Sequence, residues 1–203
     1  MPSILNQAIV ILSLAVLAAP IEAQLPDKTA APREINITTD SAPGWLPSEE
    51  LERSVRRAFD RYFAAVDGGR YREAYDMMSD GNKAMIAYDK FEQQRKQFQA
   101  QAGPLRHRAL LKITWTKDPA DAPYPGVYAA IDEAAAFRGV DRQCGYIVIY
   151  QGPAGGDLVV MRVENNFIDN ATAATIARTQ SPAELDRLWA TLSANCPNFV
   201  PAG

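Results

Sequence analysis

The sequence predicts an α+β fold in which helices come first, a four-stranded antiparallel sheet follows, and one further helix lies near the C-terminus. Between residues 48 and 102, apolar residues recur at three- and four-residue steps, which is the period of an amphipathic helix. After Gly103-Pro104, apolar and polar residues alternate in four runs separated by turns rich in Gly, Pro and Asp. Because short turns join consecutive strands into antiparallel pairs, we expect a curved meander with the helices packed on one face.

Three helices are expected before the sheet. Ser48 can cap the first helix, and Asp67-Gly68-Gly69 ends it because glycine adopts the left-handed cap conformation readily. A short second helix is predicted over residues 70–78. The third helix runs up to Gly103-Pro104, with Met85 among its inward-facing residues. The C-terminal helix is predicted over residues 183–194.

The strands are predicted over residues 105–116, 127–137, 144–150 and 158–168. In the first strand, simple alternation puts His107 on the apolar inner face and Arg106, Arg108 and Lys112 together on the outer face. This basic face is open to two interpretations. Exposed strand faces are normally polar and solvated, but an anionic partner could also dock there.

The N-terminus indicates export. Residues 8–19 are almost entirely apolar, which suits the core of a signal peptide and is short for a membrane span. We expect a signal peptide over residues 1–23 that is cleaved after Ala23. An uncleaved anchor is the alternative, because Met1–Gln7 contains no Lys or Arg. The predicted location is periplasmic or secreted, with no membrane span after cleavage.

The remaining chain divides into three predicted parts: a Pro-rich linker over 24–47, the α+β domain over 48–169, and a C-terminal extension with its helix over 170–203. A formal net charge of −3 argues against nucleic-acid binding, which favours a strongly basic surface. A hydrophobic fraction of 47% supplies a real core, so wholesale disorder is not expected.

The two cysteines, Cys144 and Cys196, are predicted to form a disulfide because exported thiols are usually oxidised. The bridge would pin the C-terminal helix to the sheet. Two separate thiols that never meet are the alternative.

One set of polar residues is a candidate site. By alternation, Glu133 shares the inner face of the second strand, and Asn165 shares that of the fourth, so both could converge with His107 in an apolar pocket. Such a pocket could support acid–base chemistry. The alternative is that these groups only satisfy one another by hydrogen bonding. No metal-ligand pattern and no phosphate-binding loop is present, so no cofactor is predicted.

The order of elements resembles the cystatin-like or nuclear-transport-factor-2-like cone. More specifically, residues 59–169 resemble a bacterial secreted family, domain of unknown function 4019. Four stretches carry the resemblance: Val66-Asp67-Gly68-Gly69-Arg70-Tyr71 with Tyr75, Gly103-Pro104-Leu105-Arg106-His107-Arg108, Pro125-Gly126-Val127-Tyr128 leading to Phe137, and the closing hairpin over 147–168. The chain departs from the family at Leu158, where Trp is frequent, and near Cys144, where Glu is frequent.

The resemblance implies an exported interaction or binding module and transfers no catalytic residue. We therefore predict a non-enzymatic module of the cell envelope that binds a small ligand or an envelope protein. The alternative is a small isomerase- or dehydratase-like enzyme that uses the cone cavity for acid–base chemistry. A homodimer with a structural role is a third possibility.

Overall fold

The fold is described from a computed structural model for residues 34–196, apart from the side chain of Asn195. The predicted signal peptide over 1–23, the first ten residues of the predicted linker and the last seven residues of the chain lie outside this part.

Five strands, six α-helices and a short 3-10 helix make up the described chain. The strands are β1 (Asn36–Ile37), β2 (Leu105–Lys117), β3 (Val127–Phe137), β4 (Val140–Gln151) and β5 (Val159–Asp169). The helices are α1 (Glu49–Asp67), α2 (Tyr71–Asp76), α3 (Asp80–Met85), α4 (Tyr88–Ala102), α5 (Asn170–Thr179) and α6 (Pro182–Leu192), followed by the 3-10 helix Ser193–Asn195.

The sheet has five strands in the order β1-β2-β3-β4-β5, so the prediction of four strands is corrected. The antiparallel meander of β2 to β5 is as predicted. The addition is β1, which pairs parallel with β2 through Asn36 with Thr114 and Ile37 with Trp115. A two-residue strand has no alternation to detect, which is why the Pro-rich stretch around it reads as a linker. Trp45 packs edge-to-face on Trp115, with ring centroids 6.4 Å apart.

The helices before the sheet follow their local signals, with one exception. The Ser48 hydroxyl accepts a hydrogen bond from the Leu51 N–H at 3.1 Å and caps α1 as expected. The predicted third helix is two helices, because Ile86 has an extended backbone and separates α3 from α4. Met85, expected to face inward, is 87% exposed at this break.

The main core lies between α1, α2, α4 and the inner face of the sheet. Its largest fully buried side chains come from α1, β2, β3, β4 and β5: Val55, Tyr62, Trp115, Ile131, Ile147, Ile149 and Val160. Burial of this apolar surface is the dominant favourable contribution to folding.

The C-terminal extension packs on the opposite face of the sheet. Cys144 and Ile168 alternate with residues of the inner face and therefore point outward. They form a second core with Leu185 and Trp189, both on α6. As expected, helices that precede the sheet pack on its inner face, namely α1, α2 and α4. Helix α3 borders the free edge of β5, and the C-terminal helices α5 and α6 cover one end of the outer face.

The predicted disulfide is present. Cys144 and Cys196 are joined, with their Cα atoms 6.1 Å apart and a separation of 52 positions in sequence. The bridge ties the residue that follows the 3-10 helix to strand β4, in the second core.

Two irregularities in β2 decide which side chains face the helices. The pairing of β2 with β3 shifts between Leu105 and His107, and again between Leu110 and Lys112. Each shift adds an unpaired residue to β2, which reverses the inside–outside alternation beyond it. Arg108 consequently lies on the same face as Ile113, although the two are five positions apart and regular alternation would place them on opposite faces.

Candidate functional site

A cleft lies between the C-terminal end of α1, helix α4 and the inner faces of β2, β3 and β5. Its free cavity volume is about 20 Å³, and the space between its walls together with the solvent at its open mouth amounts to about 330 Å³. Its apolar walls are Phe63, Val66, Phe98, Phe137 and Val163. Its polar lining residues are Asp67, Arg95, Arg108, Glu133, Glu164 and Asn165. A concave, mainly apolar site with a few polar groups is typical of small-ligand binding.

Arg108 occupies the inner end of this cleft. Its guanidinium binds Asp67 at two points, Nε to Oδ2 at 3.1 Å and Nη2 to Oδ1 at 3.0 Å, and its Nη1 donates to Glu133 Oε2. The guanidinium carbon also lies 3.9 Å from the centroid of the Phe63 ring. Such bidentate and stacked contacts suit the planar guanidinium group. The prediction that Arg108 belongs to an outer basic face is wrong, because the β2 irregularity at Leu111 turns it inward.

The same irregularity moves His107 outward. His107 pairs with the exposed Ala136 and is itself exposed on the outer face. It therefore does not converge with Glu133 and Asn165, and the expected group of three polar residues does not form. The inner position that alternation predicts for His107 is held by Arg108.

Glu133 and Asn165 are brought together as predicted, with Gln143 between them. The Gln143 amide Nε2 donates to Glu133 Oε1 at 2.7 Å and to Asn165 Oδ1 at 2.8 Å. Its Oε1 accepts a hydrogen bond from the Ala135 N–H at 2.6 Å. The last residue pair of β3 and β4 is Glu133 with Gly145, so the Ala135 N–H lies beyond the paired part of the two strands. The Gln143 side chain supplies the acceptor that this backbone donor would otherwise lack. Sequence reasoning missed Gln143 because the predicted strand began one residue later.

Gly145 provides the space for this cluster. It lies directly across from Glu133 on β3 and from Asn165 on β5. A Cβ atom at this position would lie 2.6 Å from Glu133 Oε1 and 2.5 Å from the Glu164 carbonyl oxygen. A glycine inside a strand often marks such a close approach, and this is the signal that could have indicated the site.

The electrostatics of the cluster are dominated by burial. Desolvation raises the pKa of Glu133 above its ordinary value, while the charge of Arg108 and the hydrogen bonds from Gln143 and Arg108 oppose that rise. Burial likewise raises the pKa of Tyr62 beneath the cleft, and the nearby charges of Arg95 and Arg108 act in the opposite direction. Both arginines therefore contribute to the potential at this end of the core.

Arg95 is a lining residue that sequence reasoning missed entirely. Its Nε is buried and has no hydrogen-bond partner among the residues that the structure describes. Its guanidinium carbon lies 5.7 Å from the centroid of the Phe91 ring. Helix α4 carries many charged and polar residues, so nothing in the sequence distinguishes Arg95 from the solvent-exposed ones.

The carboxylates of the cleft, in contrast, are already paired. Asp67 and Glu133 share Arg108, and the Glu164 carboxylate lies on the outer face of β5, where it forms an ion pair with Arg162 at 2.8 Å. Within residues 34–196, no carboxylate lies within ion-pair distance of Arg95. A buried donor without an acceptor is unfavourable in a protein interior, so Arg95 is the group in the cleft that lacks a partner.

The predicted basic face does not form a continuous row. Arg106 and Lys112 lie outside the core, whereas Arg108 points into the cleft. Lys112 lies opposite Asp132 in the β2–β3 pair. Alternating opposite charges are typical of a solvated sheet surface.

Two further classes of site are absent from the part of the chain that the structure describes. Between residues 34 and 196, no group of three or more His, Cys, Asp or Glu side chains is placed to hold a metal ion. No helix in the same range is long and apolar enough to span a membrane.

Comparisons with known proteins support the resemblance to domain of unknown function 4019. The family described as "Protein of unknown function (DUF4019)" matches residues 58–175, which is more than half of the chain. No curated protein and no solved structure matches the chain. The matched residues include α2, α3, α4, strands β2 to β5 and every residue that lines the cleft. The chain therefore belongs to the DUF4019 family.

Proposed function

We propose that the chain is an exported, non-enzymatic binding module whose cleft between α4 and the sheet takes a small ligand. The single observation that carries this proposal is the unpaired Arg95 Nε in a cleft with apolar walls. Bound ligands in such sites bury their apolar part against the walls and satisfy a few polar groups. An unsatisfied donor at the wall of a cleft is what a ligand acceptor would complete.

Binding is favoured over acid–base catalysis by the state of the carboxylates. Glu133 accepts hydrogen bonds on both oxygens, from Arg108 and Gln143, and Asp67 is held at two points by Arg108. A general base needs a free oxygen within reach of the substrate proton. The histidine that the enzyme alternative required is on the other face of the sheet.

Export is supported by the disulfide between Cys144 and Cys196. Such bridges persist in oxidising compartments and are rare in the cytosol. The apolar run over residues 8–19 supplies the matching targeting signal.

The binding site is tested by filling the cleft. Val163 lies on its wall, and Val148 is a half-buried valine on the opposite face of the sheet. We expect at least one of four small probes (benzyl alcohol, benzamide, benzoate and benzylamine) to shift the amide NMR signals of Phe98 and Phe137. Val163→Phe should abolish these shifts because the larger side chain occupies the site, and the matched Val148→Phe control should retain them.

Two results would overturn the proposal. One is that no probe, at millimolar concentration, perturbs the signals of the cleft residues. The other is that Val163→Phe binds the probes as well as the unmodified protein while remaining folded by circular dichroism.

A further inference from the structure

We infer that Arg95 is the anchor of the cleft and that its ligand is a small monocarboxylate with an apolar body. This inference rests on the proposed binding function and names the class of ligand that the site takes. Three features of the cleft support it: the hydrogen-bond donor of Arg95 that has no acceptor, the charged side chains near Arg95, and the apolar side chains that form the walls.

The free donor belongs to a guanidinium. Arg95 Nε is buried without an acceptor, whereas both sides of the Arg108 guanidinium are occupied by Asp67 and Glu133. A guanidinium presents its N–H groups in a planar fork that matches the two oxygens of a carboxylate. A ligand carboxylate would therefore satisfy the buried Nε and neutralise the charge of Arg95 in one contact.

The surrounding charges limit the ligand to a single negative charge. The charged residues that line the cleft besides Arg95 are Asp67, Arg108, Glu133 and Glu164. The Glu164 carboxylate lies on the outer face of β5, where Arg162 balances it, and the group of Asp67, Arg108 and Glu133 carries one excess negative charge when Glu133 is ionised. Because like charges repel strongly at short range, a dianion such as phosphate is disfavoured where a monocarboxylate is accepted.

The walls select an apolar body for that ligand. Phe98 is half-buried on α4 and meets Phe137 and Phe167 edge-to-face, with ring centroids 5.3 and 5.0 Å apart. Val66 and Val163 line the cleft beside it. An aromatic or branched aliphatic group fits against such surfaces, since aromatic rings favour offset or edge-to-face contacts.

The experiment compares benzoate with benzamide, which has the same shape and no charge, by isothermal titration of the purified protein. We expect benzoate to bind at least tenfold more tightly than benzamide, and inorganic phosphate to bind more weakly than benzoate. Arg95→Met should remove the preference for benzoate, and Arg95→Lys should keep part of it because the positive charge remains. Arg106→Met, which removes an exposed arginine of β2 outside the cleft, is the matched control and should bind as the unmodified protein does.

The outcomes separate this inference from the proposed function. If benzamide binds in the cleft as tightly as benzoate, or if Arg95→Met and Arg95→Lys both keep the full preference, the carboxylate inference is overturned and the binding site stands. If phosphate binds more tightly than benzoate, the monoanion assignment is overturned. If benzoate binding depends on Arg95 and survives Val163→Phe, the cleft is not the site, and both proposals fail.

Discussion

Arg108 joins two carboxylates that come from different parts of the fold, Asp67 at the end of α1 and Glu133 in β3. Asp67 stands at the negative end of the helix dipole, where a carboxylate is unfavourable on its own, and no basic residue lies in the last turn of α1. Arg108 supplies the missing positive charge from the sheet. The contact thus ties the helical layer to the strands at the mouth of the core.

Replacing Arg108 should destabilise the protein, because both carboxylates would lose their partner in a largely buried setting. The Arg108 side chain is 11% exposed, and we expect Arg108→Met to lower the free energy of unfolding by about 3 kcal/mol, the lower end of the range for broken buried pairs. Urea denaturation followed by circular dichroism measures this change. Arg106→Met is the control and should leave the free energy of unfolding unchanged within error. Equal losses in the two variants would contradict the inward placement of Arg108.

At the scale of elements, the C-terminal extension packs in a core of its own, and the family match ends within it at residue 175, in the middle of α5. Helix α5 follows β5 directly, with the Asp169 carboxylate accepting a hydrogen bond from the Thr172 N–H at 2.9 Å as its cap. That cap lowers the pKa of Asp169. Because the second core is small, the disulfide contributes a large share of what holds α6 in place.

Removing the disulfide should loosen the extension more than the rest of the fold. A loop closed over 52 residues is worth about 4 kcal/mol in loop-closure entropy, so the double variant Cys144→Ala, Cys196→Ala should lose free energy of unfolding of that order. Hydrogen exchange should accelerate in α5 and α6 and change little in β2 and β3. Reductant should destabilise the unmodified protein and have no effect on the double variant. Two thiols that alkylate in the native protein without reductant would contradict the bridge.

For the whole molecule, the compartment and the chemistry of the bridge depend on each other. A disulfide between the sheet and the C-terminal extension forms reliably only where thiols are oxidised. The N-terminal apolar run is the element of the sequence that would carry the chain to such a compartment.

The export hypothesis predicts a new N-terminus. Mass spectrometry of the protein recovered from the periplasm or medium of a bacterial host should show Gln24 as the first residue. Leu14→Arg, which places a charge in the apolar run, should block export and leave the N-terminus intact, whereas the conservative Leu14→Ile should be processed normally. An exported protein that keeps residues 1–23 would support the anchored alternative instead.

The sequence by itself determined the properties that depend on neighbouring residues. The cap at Ser48, the bounds of β3 from Val127 to Phe137 and the inner face of that strand with Glu133 all follow from local period and local turns. The disulfide was predicted from the expected oxidising compartment, and the family from turn and core motifs along the chain. Each of these signals is present in a short stretch of sequence before any long-range contact forms.

Only the tertiary structure decided which face the residues of β2 present. Alternation can be seen in one strand, but register depends on how two strands pair. One extra residue in β2 opposite β3 places Arg108 at the inner position, where regular alternation would have placed His107. The candidate site depends on the same kind of information, since Gln143, Gly145 and Arg95 acquire their roles from partners on other elements. The spacing of residues along one strand or helix does not specify their contacts with other elements. The cleft could therefore be identified only from the tertiary structure.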